Sequence, residues 1–347
     1  MKKITSLIFV IIICVFSVAV FALPDAEISE LENRSLTTRK DISPNALSGD
    51  FQSSVENFVS DQFPLRDKFM LLYTGMLYAS GQREIDGTYI CKDGRLVQYV
   101  TDADINEKTL VSFARKVNRL AENYTVYVMY VPSACVELKD KMPAGRPTYN
   151  YQALYDLLSS ELGNATLIDL SDTLSDENFF YKTDHHWTAY GAYEAYRAFC
   201  DAKGEKPKET ESFNLKTVSN FFRGTLYSKV PFCEQTDEII IPTVEGINTV
   251  ADSQSIDFYN FDALEVKDKY NVFQGGNHGI VEITNENGNG KTLLILKDSF
   301  ANSFVPFIAD EYSKIVMIDE RYTFISLEDF TQSLSPDEIL VLREIIN

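Results

Sequence analysis

The stretch Lys291-Thr-Leu-Leu-Ile-Leu-Lys-Asp-Ser-Phe-Ala-Asn-Ser-Phe-Val-Pro-Phe307 changes character halfway along. Thr292 to Leu296 is a continuous apolar run with branched residues, the pattern of a strand buried on both faces in a parallel sheet. After Lys297-Asp298-Ser299, the residues Phe300, Ser303, Phe304 and Phe307 fall at helical spacing. A buried strand turning sharply into a helix predicts an α/β sheet, and Ser299 at the corner lies where such sheets gather ligands and reactive groups. The helix end adds free backbone N–H groups and a partial positive charge suited to an oxyanion. Ser299 is therefore the candidate nucleophile.

A serine needs a base to take its proton, and the base needs a partner to fix its tautomer. Lys182-Thr-Asp-His-His-Trp-Thr-Ala-Tyr190 holds two of the three histidines and the single tryptophan. Asp184 and His186 stand two apart, so in extended chain they project to one side. Tyr190, Tyr193, Tyr196 and Phe199 then follow at helical spacing, with Thr188 as the expected N-cap. His186 is the candidate base and Asp184 its orienting acid. His185 reads as a packing neighbour. Trp187 is either a face for a sugar ring or a buried anchor for the helix.

These residues carry a resemblance. Asp184-His185-His186-Trp187 resembles the signature of the DHHW protein family and is similar to the Asp-Xaa-His-Trp motif of alginate O-acetyltransferases, whose catalytic domain is SGNH-hydrolase-like. Glu32-Asn33-Arg34, Asp61-Gln62-Phe63-Pro64-Leu65-Arg66-Asp67, Gly224-Thr225-Leu226-Tyr227-Ser228-Lys229, Gly275-Gly276-Asn277-His278 and Asp298-Ser299-Phe300 agree with it. The resemblance implies a three-layer α/β/α fold with a central, mostly parallel sheet, here with a helical N-terminal extension. It implies chemistry on acyl esters of glycans, by O-acetyl transfer or O-acetyl ester hydrolysis, with Asp184, His186 and Ser299 as triad. It also implies Asn277 and Gly276 as oxyanion donors, alongside the serine N–H. The chain departs from the common SGNH pattern at Lys297, where a glycine usually precedes Asp-Ser, and in placing the Asp-Xaa-His pair upstream of the serine.

Met1 to Leu23 carries Lys2 and Lys3 before a long apolar run ending in small residues and Pro24. It reads as an export signal or a retained single anchor, with the rest of the chain outside the cytoplasm. Residues 24–50 read as a polar tether, and 51–347 as one domain with an insertion near 205–265. Helical periodicity spans Phe51 to Tyr78, broken at Pro64, and turn signals between Glu84 and Val100 predict a hairpin. An amphipathic helix over Asp104–Asn123 and a buried strand over Thr125–Val131 open the α/β core. Further strands are expected at Tyr270–Phe273 and Lys314–Ile318; Pro336–Asn347 fits either a strand or a helix.

The formal charge is −19, or −21 without Lys2 and Lys3 (30 basic against 51 acidic). Such a surface disfavours nucleic acid and suits a neutral or zwitterionic glycan better than a polyanion. Cys91, Cys135, Cys200 and Cys233 lack metal-site spacing and read as structural. No cofactor is expected. A metal site from Asp184, His185, His186 and His278 is disfavoured, because adjacent histidines rarely ligate one ion. Arg321, at the end of the Lys314–Ile318 strand, is a candidate contact to a substrate hydroxyl or carboxylate, or else a structural ion pair. A membrane acyl-transfer protein is a conceivable partner. The rival function is a noncatalytic envelope scaffold or glycan-binding protein that has kept the fold and lost the chemistry.

Overall fold

In the computed structural model, residues 2–29, 31–32, 34–45 and 49–346 are described. Asn33 of the quoted pieces, residues 30 and 46–48 of the expected tether, and Asn347 of the expected domain lie outside them. The chain divides into two compact units, one of residues 1–85 with 228–232 and one of residues 86–227 with 233–347.

The first unit contains the helices Lys2–Ala22, Gly49–Asp61 and Arg66–Ala79. Within the first, Ile4–Ala22 is long and apolar enough to cross a membrane: 19 residues rise about 28 Å, close to a bilayer's hydrocarbon thickness of roughly 30 Å. Phe16 stacks on Phe63 with ring centroids 5.1 Å apart. Parts of the segment expected as a polar tether fold back. Arg34 pairs with Asp61, and the Gln62 amide spans Ala26 and Thr37, so the carboxyl end of the Gly49–Asp61 helix holds this segment.

The second unit is built on eight strands: β1 (Thr125–Val131), β2 (Thr166–Ile168), β3 (Ile247–Ala251), β4 (Gln254–Ile256), β5 (Ile280–Asn285), β6 (Thr292–Lys297), β7 (Lys314–Ile318) and β8 (Glu338–Glu344). Their order is β4-β3-β5-β7-β6-β8-β1-β2. The run from β7 to β2 is parallel throughout, whereas β5, β3 and β4 continue it antiparallel. The sheet is therefore mostly parallel. Part of the expected insertion, residues 247–256, supplies its antiparallel edge.

Central strands read as unbroken apolar runs because both faces are covered: Leu293 to Leu296 and Ile339 to Leu342 are fully buried. Crossovers between parallel strands are right-handed. From β1 to β2 the chain steps one way along the sheet, and from β6 to β7 the other, so their helices fall on opposite faces. Accordingly the Glu107–Leu120 helix packs on Tyr151–Glu161, and its Arg119 pairs with Glu328 of the Leu327–Leu334 helix. The Ala189–Lys203 helix packs on Phe300–Phe304. This gives three layers.

One local expectation changes. Thr88–Ile90 and Leu96–Gln98 form the expected hairpin, but Lys269–Val272 is a tight helical turn and not a strand. A strand would have sent Tyr270 and Phe273 to opposite faces. The turn buries Tyr270, Val272 and Phe273 in one cluster with Tyr181 and Phe222. The ambiguous C-terminal segment is β8. Cys91, Cys135, Cys200 and Cys233 are buried and unpaired, and burial pushes the Cys91 and Cys135 thiols up to about 12, which makes them inert packing groups.

Candidate active site

The parallel strands leave their carboxyl ends at one edge of the second unit, and there Ser299 follows β6 with helical backbone angles, φ −67° and ψ −17°. Two fixed bonds shape this corner. The Asp298 carboxylate accepts from Phe300 N at 2.9 Å and from Glu344 N, at the end of β8, at 2.7 Å. The serine turn is thus tied to the neighbouring central strand.

The Asp184–Trp187 stretch reaches the same edge. Thr188 caps the Ala189–Lys203 helix by accepting from Gly191 N. Upstream, Asp237 takes the Lys182 and Thr183 N–H groups and the Thr183 hydroxyl, clamping the loop from behind. Gly224 packs against Asp184 so closely that a Cβ there would lie 2.1 Å from Asp184 Oδ2. That approach lets Thr225 N and Oγ1 donate to Oδ2 at 2.7 and 3.1 Å. The glycine piece in the sequence is explained by this contact.

Asp184 Oδ1 then faces His186 Nδ1 at 2.6 Å, and His186 Nε2 lies 2.7 Å from Ser299 Oγ. Burial alone would push the Asp184 carboxyl up. The His185 and His186 imidazoles and the Thr225 donors instead hold it well below the ordinary carboxylate range. Ionised Asp184 only accepts, so the imidazole proton sits on Nδ1 and Nε2 is left as acceptor for the serine hydroxyl. Asp184, His186 and Ser299 are each at most 9% exposed, so the line of bonds is shielded yet reaches the surface at the serine.

A residue that spacing does not single out completes the arrangement. The Tyr270 ring stacks on His186, centroids 4.0 Å apart and planes 9° from parallel, while its hydroxyl donates to Ser299 O at 3.1 Å and meets Ser303 Oγ at 2.9 Å. One side chain thus limits both the imidazole's rotation and the serine's backbone. No sequence motif marks Tyr270, because its contacts come from distant segments.

The remaining candidates divide. Trp187 is fully buried, with Nε1 donating to Phe300 O and Ser303 Oγ. It anchors the motif to the serine helix, which corrects the sugar-stacking role. Arg321 is spent on Asp319 through bonds of 2.9 and 2.7 Å, the ion-pair reading and not a free substrate contact. Asn277 is exposed and Gly276 buried, and Asn302, one turn beyond Ser299, donates to Asn277 Oδ1 at 3.3 Å. Ser133, just beyond β1, is buried and donates to Glu344 at 2.7 Å. Ligand atoms of Asp184, His185 and His186 lie within 4.8 Å of one another. His278 stands apart, held by Asp252 and Gln274 O.

Solved structures share this architecture. A DHHW family protein from Eubacterium siraeum superposes with a TM-score of 0.64 at 23% identity, covering 75% of this chain and 91% of that one. Bacillus cereus PatB1, in a structure with a sulfonyl adduct, gives 0.63 at 18% identity over 77% and 96%; a second PatB1 structure gives 0.58 at 18% identity over 73% and 94%. The fold is the SGNH-like α/β fold. No curated protein matches the chain. The model of the DHHW protein family matches residues 79–318, and the chain belongs to that family.

Proposed function

We propose that this chain is an extracytoplasmic serine acyl-ester enzyme, an O-acetyltransferase or O-acetylesterase acting on glycans of the cell envelope or an exopolysaccharide. The observation that carries the reading is the continuous line from Asp184 through His186 to Ser299, with bonds of 2.6 and 2.7 Å. His186 Nε2 takes the hydroxyl proton as Ser299 Oγ attacks the carbonyl carbon of an acetyl ester. The tetrahedral oxyanion is met by the Ser299 N–H and the Asn277 side chain. As it collapses, the leaving alkoxide takes the proton back from His186 and the acetyl group stays on Ser299. A sugar hydroxyl, or water, then gives its proton to His186 and attacks in turn, and Ser299 is regenerated.

The glycan class rests on the motif's likeness to the alginate O-acetyltransferases, and the charge of −19 fits a neutral or zwitterionic sugar. Export rests on the apolar Ile4–Ala22 helix behind two lysines. The test is hydrolysis of an aryl acetate by the full chain in detergent beside Ser299→Ala, with circular dichroism to match their folds. Loss of about 10⁴-fold or more in kcat is expected. Equal rates in both proteins would refute the acyl-serine route, and absence of turnover and of any Ser299 labelling by an acyl-serine probe would favour the scaffold reading.

A further inference from the structure

Lys297 ends β6 immediately before Asp298-Ser299, and its side chain is 1% exposed. A buried ammonium is costly unless its donors are used. Its Nζ lies 2.7 Å from Asn302 Oδ1 and 4.0 Å from Asp319 Oδ2, and Asp319 is held by Arg321. An ammonium only donates, so Asn302 must turn its carbonyl oxygen toward Lys297. The Asn302 amide nitrogen then faces the Gln274–Asn277 loop, with Asn277 Oδ1 at 3.3 Å and Gly276 O at 3.5 Å. Asn277, receiving a donor, must present its own oxygen, which leaves its NH₂ group turned away as a donor. An amide can sit either way round on sterics alone. Here one donor-only group fixes two of them.

The loop is built to stay in register with this relay. Gln274, Gly275 and Gly276 have φ of 52°, 74° and 111°, and a Cβ on Gly276 would lie 2.8 Å from Asn271 Oδ1. Asn302 also donates its N–H to Ser299 O at 3.2 Å, so the relay and the nucleophile share one helical turn.

We propose that Lys297 is a positioning residue that, through Asn302, aims the donor face of Asn277 at the acyl oxygen of an ester bound at Ser299. This rests on the acyl-serine reading above. It assigns a purpose to the lysine that replaces the usual glycine: the turn carries a buried cation that polarises the oxyanion side of the site. Burial lowers the Lys297 ammonium to about 8, against the pull of Asp319 and Asp298 and with Arg321 and Asp252 also facing it. The relay therefore weakens as pH rises through that value, because a neutral amine no longer dictates the Asn302 orientation.

The experiment is a mutant cycle on aryl acetate hydrolysis by the full chain. Asn277→Ala is expected to lower kcat about 10²-fold with KM little changed. Lys297→Met should lower kcat at least about tenfold, also without raising KM, and should cost nothing further in the Asn277→Ala background. Asn302→Asp keeps the lysine's partner and hence the buried pair, yet loses the donor to Asn277, so it should match Lys297→Met even if that variant folds poorly. Additive losses in the double variant, or full kcat in Asn302→Asp, would overturn the relay while a dead Ser299→Ala variant left the acyl-serine reading standing. Turnover that survives Ser299→Ala, or no turnover at all, would overturn both.

Discussion

The two sides of the serine are held by different means. On the acid–base side, both oxygens of Asp184 are used: Oδ1 by His186, Oδ2 by Thr225, with Asp237 bracing the loop behind. On the proposed oxyanion side, the Gln274–Gly276 backbone sits in the left-handed region, and the buried Gln274 side-chain amide has no protein partner at either Oε1 or Nε2. The first side is stiffened by complete pairing. The second relies on strained backbone and a relay reaching in from β6, and local opening is easier where fewer bonds hold a segment. Acid–base geometry should therefore survive perturbations that misalign the oxyanion donors.

The largest test of this contrast is Asp184→Asn. An amide cannot fix the Nδ1–H tautomer as a carboxylate does, and kcat for aryl acetate hydrolysis is expected to fall about 10⁴-fold. A small loss would mean that Thr225 and Tyr270 alone hold His186 in place. Next comes Gly224→Ala, whose methyl group would drive the Arg223–Thr225 backbone off Asp184. We expect a loss of about 1–3 kcal/mol in stability by urea titration, together with a fall in kcat at unchanged KM. Trp187→Phe keeps most of the ring but drops the Nε1 bonds to Phe300 O and Ser303 Oγ, and should cost about 1–2 kcal/mol, read as a lower melting temperature with the pH profile of kcat unmoved.

The smallest expected effect concerns Glu344, beneath the serine turn. Burial pushes its carboxyl up to about 8, with only the Ser133 hydroxyl opposing. Folding therefore favours the protonated form. Its stabilising share is complete below the ordinary carboxylate range and is lost as pH rises toward about 8. Glu344→Gln should flatten the dependence of the urea midpoint between pH 5 and 8.5. An unchanged slope would remove Glu344 from the account.

How much of this the sequence discloses depends on how local the cause is. Thr125–Val131 and the Thr188 cap are legible because an apolar run and a hydroxyl before a helix act within a few residues. Ser299, His186 and Asp184 could be picked out together because the chain has only three histidines, and the nucleophile, base and acid types stand at element ends. Lys297, Asn302 and Tyr270 are not legible, since their contacts join β6, the serine helix and the turn at 269–272. The same limit explains Tyr270–Phe273. Alternating apolar residues suit a strand, and only the neighbouring Tyr181 and Phe222 make a tight turn the better burial. Pro336–Asn347 stayed ambiguous because a run buried on all sides has no periodicity.

The place of β8 has a consequence for how the protein comes into being. This segment, Glu338–Glu344, is the last of the described strands, yet it lies between β6 and β1 and pairs with both. A chain emerging from its amino end can form the hairpin and the β1–β2 pair early, but the two halves of the sheet have nothing to join them until residue 344 arrives. Assembly must then close contacts more than 200 residues apart in sequence, a slow class of event. Closing the central sheet is thus deferred until β8 has been delivered, long after the β1–β2 pair it must join.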